Sequence, residues 1–135
     1  MSQQQPWWNG AVIYQLIVRS YRDGNGDGIG DLQGLSSRLP YLRWLGVEAI
    51  WLTPIYPSPL DDGGYDITDF KAIHPDLGDL AAFHRFLTAA HAQGLKVVMD
   101  LVMNHTSTLH PWFQRARWAA KGSPEREIYV WSDDP

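Results

Sequence analysis

Three short runs of the chain are almost continuously apolar: Ala11–Val18, Val47–Thr53 and Leu95–Val102. Each is rich in β-branched residues, and strands covered on both faces read this way because they have no solvent side to fill with polar residues. Between the runs the apolar spacing becomes helical. Leu35, Leu39, Leu42 and Leu45 recur along one face, and Gly46 stands where such a helix should stop. Pro40 fits that helix if Ser36 or Ser37 caps it, which puts the proline in the first turn. Leu80, Phe83, Leu87 and Ala90 line a second helix, with Asp79 placed to cap its start and Gly94 its end. The order is therefore β-α-β-α-β, which predicts parallel strands joined by right-handed crossovers. After Val102 strand character is lost. His110–Ala120 reads as a short helix and Ser123–Pro135 as a polar, aromatic-rich connection.

Two architectures use this order, an open doubly wound sheet and the (β/α)8 barrel. The first strand is followed by a run of Gly and Asp rather than by a glycine-rich phosphate loop opening a helix, so the dinucleotide fingerprint is absent. A complete barrel takes about 250 residues; on that reading the 135 residues here supply three of its strands. The stretch 54–75 carries four prolines and an adjacent glycine pair, and a loop that long inside a compact unit is usually functional.

Composition narrows the function. Eleven Lys and Arg against 15 Asp and Glu give a net charge of −4, which argues against a nucleic-acid or anionic-membrane surface. With no cysteine, disulfides, thiolate metal sites and thiol nucleophiles are excluded. No apolar run approaches the roughly 20 residues of a membrane span, and the polar stretch Met1 to Gly10 does not read as a signal peptide. The expectation is a soluble, cytoplasmic protein. Seven Trp, six Tyr and four Phe suit a cleft that stacks on sugar rings, and equally a core built on large side chains.

Three motifs carry chemistry. In Asp23-Gly-Asn25-Gly-Asp27-Gly28-Ile29-Gly30-Asp31, oxygen side chains stand at positions 1, 3, 5 and 9 of a calcium-type loop, with glycine at 6 and the Ile29 carbonyl at 7. The bidentate Glu of an EF-hand is missing, since position 12 is Gly34, and the segment follows a strand. The alternative is an Asp/Gly turn whose carboxylates cap backbone amides. Asp61-Asp62-Gly63-Gly64-Tyr65-Asp66 joins carboxylates, which accept from paired hydroxyls, to a ring that can stack on a sugar; it also fits a solvated acidic turn. Asp100-Leu101-Val102-Met103-Asn104-His105 runs off the third strand, at the edge where barrels place their active sites. Alternation puts Asp100, Val102 and Asn104 on one side. The plainer readings are a structural His105 and an Asp100 bonded to the neighbouring loop.

The stretch Asp100–His105, together with Trp51-Leu52-Thr53-Pro54-Ile55-Tyr56, resembles the α-amylase family, glycoside hydrolase family 13. The Asp23–Asp31 loop and Gly64-Tyr65-Asp66 are similar to its branch of α-glucosidases, oligo-1,6-glucosidases and trehalose synthases. Tyr56-Pro57-Ser58-Pro59-Leu60 and the tail, from His110-Pro111-Trp112 to Tyr129-Val130-Trp131-Ser132-Asp133, look most like the trehalose synthases, which interconvert maltose and trehalose. The resemblance implies the N-terminal portion of a (β/α)8 barrel over residues 1–105, with 106–135 beginning a small inserted domain. It implies that Asp62 and His105 bond the glucose of the −1 subsite, that Tyr65 stacks beneath it and that Asp100 organises the floor. It implies Ca2+ as cofactor, with Asp23, Asn25, Asp27, Ile29 and Asp31 at one site and Asn104 at another. The substrate would be a small α-glucoside such as maltose or trehalose. The family's nucleophilic Asp and acid Glu fall beyond Pro135, so no catalytic carboxylate is assigned and this chain alone is expected to be inactive. An exo-acting α-glucosidase is the first alternative, a non-catalytic barrel homologue the second. Relatives usually carry a bulkier residue at Gly63.

Overall fold

The computed structural model describes residues 5–132, so Met1 to Gln4 and Asp133 of the tail motif lie outside the described residues. The chain divides into two compact units. The first comprises the chain up to Ile55 together with Ala72–Leu101; the second comprises Tyr56–Lys71 and the chain from Val102 onward.

The first unit holds a three-stranded parallel sheet in the order β1 (Ile13–Leu16), β2 (Ala49–Leu52), β3 (Lys96–Met99). Ile13 pairs with Ala49, and Ala49 with Lys96, so the three strands run in register. The strands are shorter than the apolar runs. Only β2, with a partner on each side, matches the expectation of a strand covered on both faces. On β1, Ile13 and Tyr14 are exposed and only Leu16 is buried. The third run breaks after Met99. The Asp100 amide still bonds the Leu52 carbonyl, at 3.2 Å, but the alternation expected out to Asn104 does not continue as strand.

The single helix expected over residues 35–45 is two, α1 (Leu32–Ser37) and α2 (Leu39–Trp44). Neither Ser36 nor Ser37 is a cap. Both hydroxyls donate backward to carbonyls of the preceding turn, Ser36 to Leu32 and Ser37 to Gly34. The cap of α1 is Asp31, whose Oδ1 accepts the Gly34 amide at 2.6 Å. Pro40 sits in the first turn of α2, as its missing N–H requires. Leu35, Leu39 and Leu42 are fully buried, while Leu45 is exposed. Each such leucine contributes about 1.5–3 kcal/mol of burial.

Helix α3 (Leu80–Ala92) starts at Asp79, whose Oδ1 accepts the Ala82 amide, and Gly94 follows its end with φ of 73°. Its buried side chains are Phe86 and Ala90; Leu80, placed on the inner face by spacing, is exposed. The stripe is rotated because Phe86 joins the core cluster with Ile50 and Leu52 of β2, while Leu80 stands outside it.

In the second unit the loop from Tyr56 is pinned by Thr68, whose amide and hydroxyl both donate to the Pro57 carbonyl. The Ser107 amide bonds the carbonyl of Ile67, a fully buried residue. Helix α4 (Pro111–Trp118) lies within the span expected to be helical. Its cap is His110, whose Nδ1 accepts the Trp112 amide at 3.0 Å. The connection after it is organised by Arg126, which donates to the carbonyls of Ala116 and Arg117 at the end of α4 and packs 3.9 Å from the Trp131 ring centroid.

Replacing Asp31 with Ala should cost about 1–2 kcal/mol in denaturant unfolding, and Asp31→Asn, which keeps one acceptor, should recover part of it. His110 is 5 % exposed between Phe70 and Trp112. Burial holds its pKa below the usual histidine value; the nearby Asp69 charge opposes this and Arg115 adds to it. A depressed folded pKa means that stability is complete above about pH 6.5 and falls as pH drops through the lowered value. The thermal midpoint at pH 5.5 should therefore lie below that at pH 7.5. His110→Asn, a non-titrating cap, should reduce that difference.

Candidate active site

The acidic loop of the second unit is held by its own carboxylates. The Ser58 hydroxyl donates to Asp66 Oδ1 and accepts the Leu60 amide at 2.9 Å. Asp66 Oδ2 accepts the Asp61 amide at 3.1 Å, and the Asp66 amide donates to Asp62 Oδ1 at 2.7 Å. Burial alone would raise the Asp66 carboxyl; the bonds from Ser58, Asp62 and the loop amides outweigh it and keep Asp66 below the usual carboxylate range. Asp62 itself is exposed. Leu60 takes a left-handed φ of 68°, which costs a residue with a side chain about 1–2 kcal/mol. Gly63 and Gly64 also have positive φ, and Gly63 has open space where a side chain would stand, so a bulkier residue there meets a backbone penalty and no clash.

His105, expected to share a site with Asp62 and Tyr65, lies in the same unit. Its Nε2 is 3.2 Å from the Tyr65 carbonyl. A carbonyl can only accept, so Nε2 carries the proton in that bond and Nδ1 is the acceptor of the neutral ring. One bond thus fastens the end of the Asp100–His105 motif to the loop that carries Asp62.

Asp100 belongs to the first unit. It is half-buried, and its Oδ1 accepts the indole N–H of Trp51 at 2.7 Å. The plainer expectation of a carboxylate bonded to a neighbouring loop is met by a strand instead. Register could have found the partner: Trp51 pairs with Val98, and Asp100 lies two residues further along that same face. Ser58 and Asp66 lie within the sequence motifs without a role of their own there. Short-range side chain-to-amide bonding by Ser and Asp near proline is the signal that marks them.

The Asp23–Asp31 loop is an amide-capped turn. Asp23 accepts the amides of Asn25, Gly26 and Gly28, and those of Gly26 and Gly28 are the largest influences holding its carboxyl below the usual range. Asn25 accepts the Asp27 amide, and Asp27 accepts that of Ile29. Asp31 is buried, with its second oxygen on the Gly24 amide, and is committed to the start of α1. Among the described residues no three His, Cys, Asp or Glu side chains gather as a metal-holding group. Asn104 is exposed in the second unit. No helix among the described residues is long and apolar enough to cross a membrane.

The chain belongs to the α-amylase family: the profile of the alpha amylase catalytic domain matches residues 15–135. It is 51% identical to a glucan 1,6-alpha-glucosidase of Streptococcus dysgalactiae subsp. equisimilis over 98% of this chain and 24% of that protein. It is 48% identical to a trehalose synthase of Pimelobacter sp. over 98% of this chain and 23% of that protein. Among solved structures, an inactive mutant of MutB in complex with isomaltulose superposes with a TM-score of 0.92 at 43% identity, covering 98% of this chain and 24% of that one. The three strands are thus the opening strands of an α-amylase barrel, and the chain spans about a quarter of the length of the curated relatives it matches.

If the Trp51–Asp100 bond anchors the strand end, Asp100→Ala should lower stability by about 1–2 kcal/mol, read by denaturant unfolding. Asp100→Asn, which keeps an acceptor, should lie between the two.

Proposed function

We propose that this chain is the N-terminal part of an enzyme acting on short α-glucosides, and that it supplies the groups that grip one terminal glucose. The observation that carries the reading is the bond from His105 Nε2 to the Tyr65 carbonyl, which brings Asp62, Tyr65 and His105 onto one connected piece of chain. Asp62 is exposed with a second oxygen beyond the one bonded to Asp66, so it can accept from ring hydroxyls. His105 offers Nδ1 and Tyr65 a ring face. None of these is asked to transfer a proton. That work falls to two carboxylates about 5–5.5 Å apart in a retaining enzyme, which the family places further along the sequence. Within the family the reading favours interconversion of maltose and trehalose, on the wording of residues 56–60 and of the tail. Hydrolysis of short α-glucosides is the second reading, supported by similarity of the same order to a glucan 1,6-alpha-glucosidase. The residues after 105 would begin the small inserted domain.

In the full-length enzyme, Asp62→Ala and His105→Ala should each lower kcat/KM on maltose at least about 10-fold, or about 1.4 kcal/mol. The double variant should be less than additive, because both residues orient one ring. Steady-state kinetics on the four proteins, with melting curves, provide the check; near-wild-type kinetics for a single variant would remove that residue from the site.

Calcium is the cofactor proposed for the Asp23–Asp31 loop. Its donors are hard oxygens of the kind the ion takes: the carboxylates of Asp23 and Asp27, the Asn25 carboxamide and the Ile29 carbonyl, with water completing a shell of 6–8. The bound ion would stiffen the loop ahead of α1. Calcium should raise the melting temperature of the wild type, and Asp27→Ala should abolish that rise. Equal responses of both proteins to calcium and to chelator would make the loop a plain turn.

A further inference from the structure

We propose that Ser58 and Asp66 are positioning residues that hold Asp62 in place for its substrate. This rests on the reading of Asp62 as a glucose ligand. Asp62 is exposed on a loop with two glycines directly after it, so nothing in its own packing fixes its carboxylate. What fixes it is a ring of polar bonds around the bend. Ahead of Asp62, the Leu60 amide is held by the Ser58 oxygen and the Asp61 amide by Asp66 Oδ2. Behind it, the Asp66 amide holds Asp62 Oδ1 directly. The Ser58 hydroxyl closes the ring by donating to Asp66 Oδ1.

A second observation points the same way. Leu60 is the one non-glycine residue with positive φ among the described residues, and its amide is the one Ser58 accepts. A side chain-bearing residue stays left-handed only where its surroundings over-determine it. The hydroxyl therefore holds a strained bend that, two residues on, sets the direction from which Asp62 approaches a sugar. Removing it should release the bend toward an ordinary conformation and swing Asp62 off its target. A bond that strengthens in the transition state then loses more in kcat than in KM.

The test uses the full-length enzyme with Ser58→Ala, Ser58→Thr, Asp66→Asn, Asp62→Ala and the double variant Ser58→Ala/Asp62→Ala. Each is assayed on maltose and on an aryl α-glucoside, with melting curves. Ser58→Ala should lower kcat/KM about 10-fold or more, mainly through kcat, while Ser58→Thr should return it to within about 3-fold. On the Asp62→Ala background Ser58→Ala should add less than about 2-fold, because its effect passes through Asp62. Loss from Asp62→Ala with none from Ser58→Ala overturns the positioning role, and so does a Ser58→Ala effect that adds in full to that of Asp62→Ala. A silent Asp62→Ala in an active enzyme overturns the glucose-ligand reading itself, and the proposal with it. If Ser58→Ala fails to fold, Asp66→Asn decides: it keeps the amide bond to Asp62, and it should show the same kcat-weighted loss at an unchanged melting temperature.

Discussion

The pairing of β2 on both of its edges is the constraint from which the rest follows. A strand with parallel partners on either side cannot reverse through a tight turn, so each connection must carry the chain back across the sheet in a long crossover. Helices α1 and α2 fill the first crossover and α3 the second. Because the strands run the same way, the segment leaving each one starts from the same end of the sheet. The Asp23–Asp31 loop, the long loop after β2 and the Asp100 motif are the three segments that leave there. Loops are free to vary where strands are not, and barrels place their chemistry on the segments that leave the strands at this end.

Carboxylates here spend much of their capacity on backbone amides. Asp31 and Asp79 start helices, Asp23 winds a glycine-rich turn, and Asp66 ties a bend. The protein is mildly acidic, yet these charges are local connectors rather than a field for a distant partner. An amide bond uses one direction of an oxygen and leaves the other available. A side chain that shapes a loop can therefore still meet a ligand, and Asp62, bonded to the Asp66 amide and exposed, is in that position.

The order of elements was legible because its signal is periodic: three apolar runs, two helical stripes, and glycines after the helices. Asp79 and Gly94 could be read because cap chemistry is local. The split of α1 from α2 was not: Asp31 starts α1 ahead of Leu35 by taking the Gly34 amide, and Pro40, with no N–H to bond back into α1, stands in the first turn of a separate α2. Phe86 was passed over for its neighbour Leu87 because periodicity fixes a stripe only to within one residue, and packing decides which of the two goes fully inside. The partnership of Asp100 with Trp51 needs the register of two strands separated by a whole crossover. The Tyr65–His105 bond joins segments that only the folded chain brings together.

The neck of the Asp23–Asp31 loop has a further consequence. There the chain closes on itself through bare backbone: the Gly30 amide bonds the Arg19 carbonyl, and the Asp31 amide bonds that of Arg22. A side chain on Gly30 would meet the Val18 carbonyl at 2.2 Å, and one on Gly34 would meet that of Arg22 at 1.9 Å. The neck therefore admits no side chain at Gly30 or Gly34, whereas Gly26 and Gly28 at the tip have open space around them. The two ends of the loop therefore resist substitution for different reasons: at Gly30 and Gly34 a side chain collides with backbone, whereas at Gly26 and Gly28, both with φ of 89°, it meets only the penalty of a left-handed conformation. A residue that tolerates the left-handed region, such as Asn, can thus replace a tip glycine at modest cost, while the junction between β1 and α1 accepts no side chain at Gly30 or Gly34.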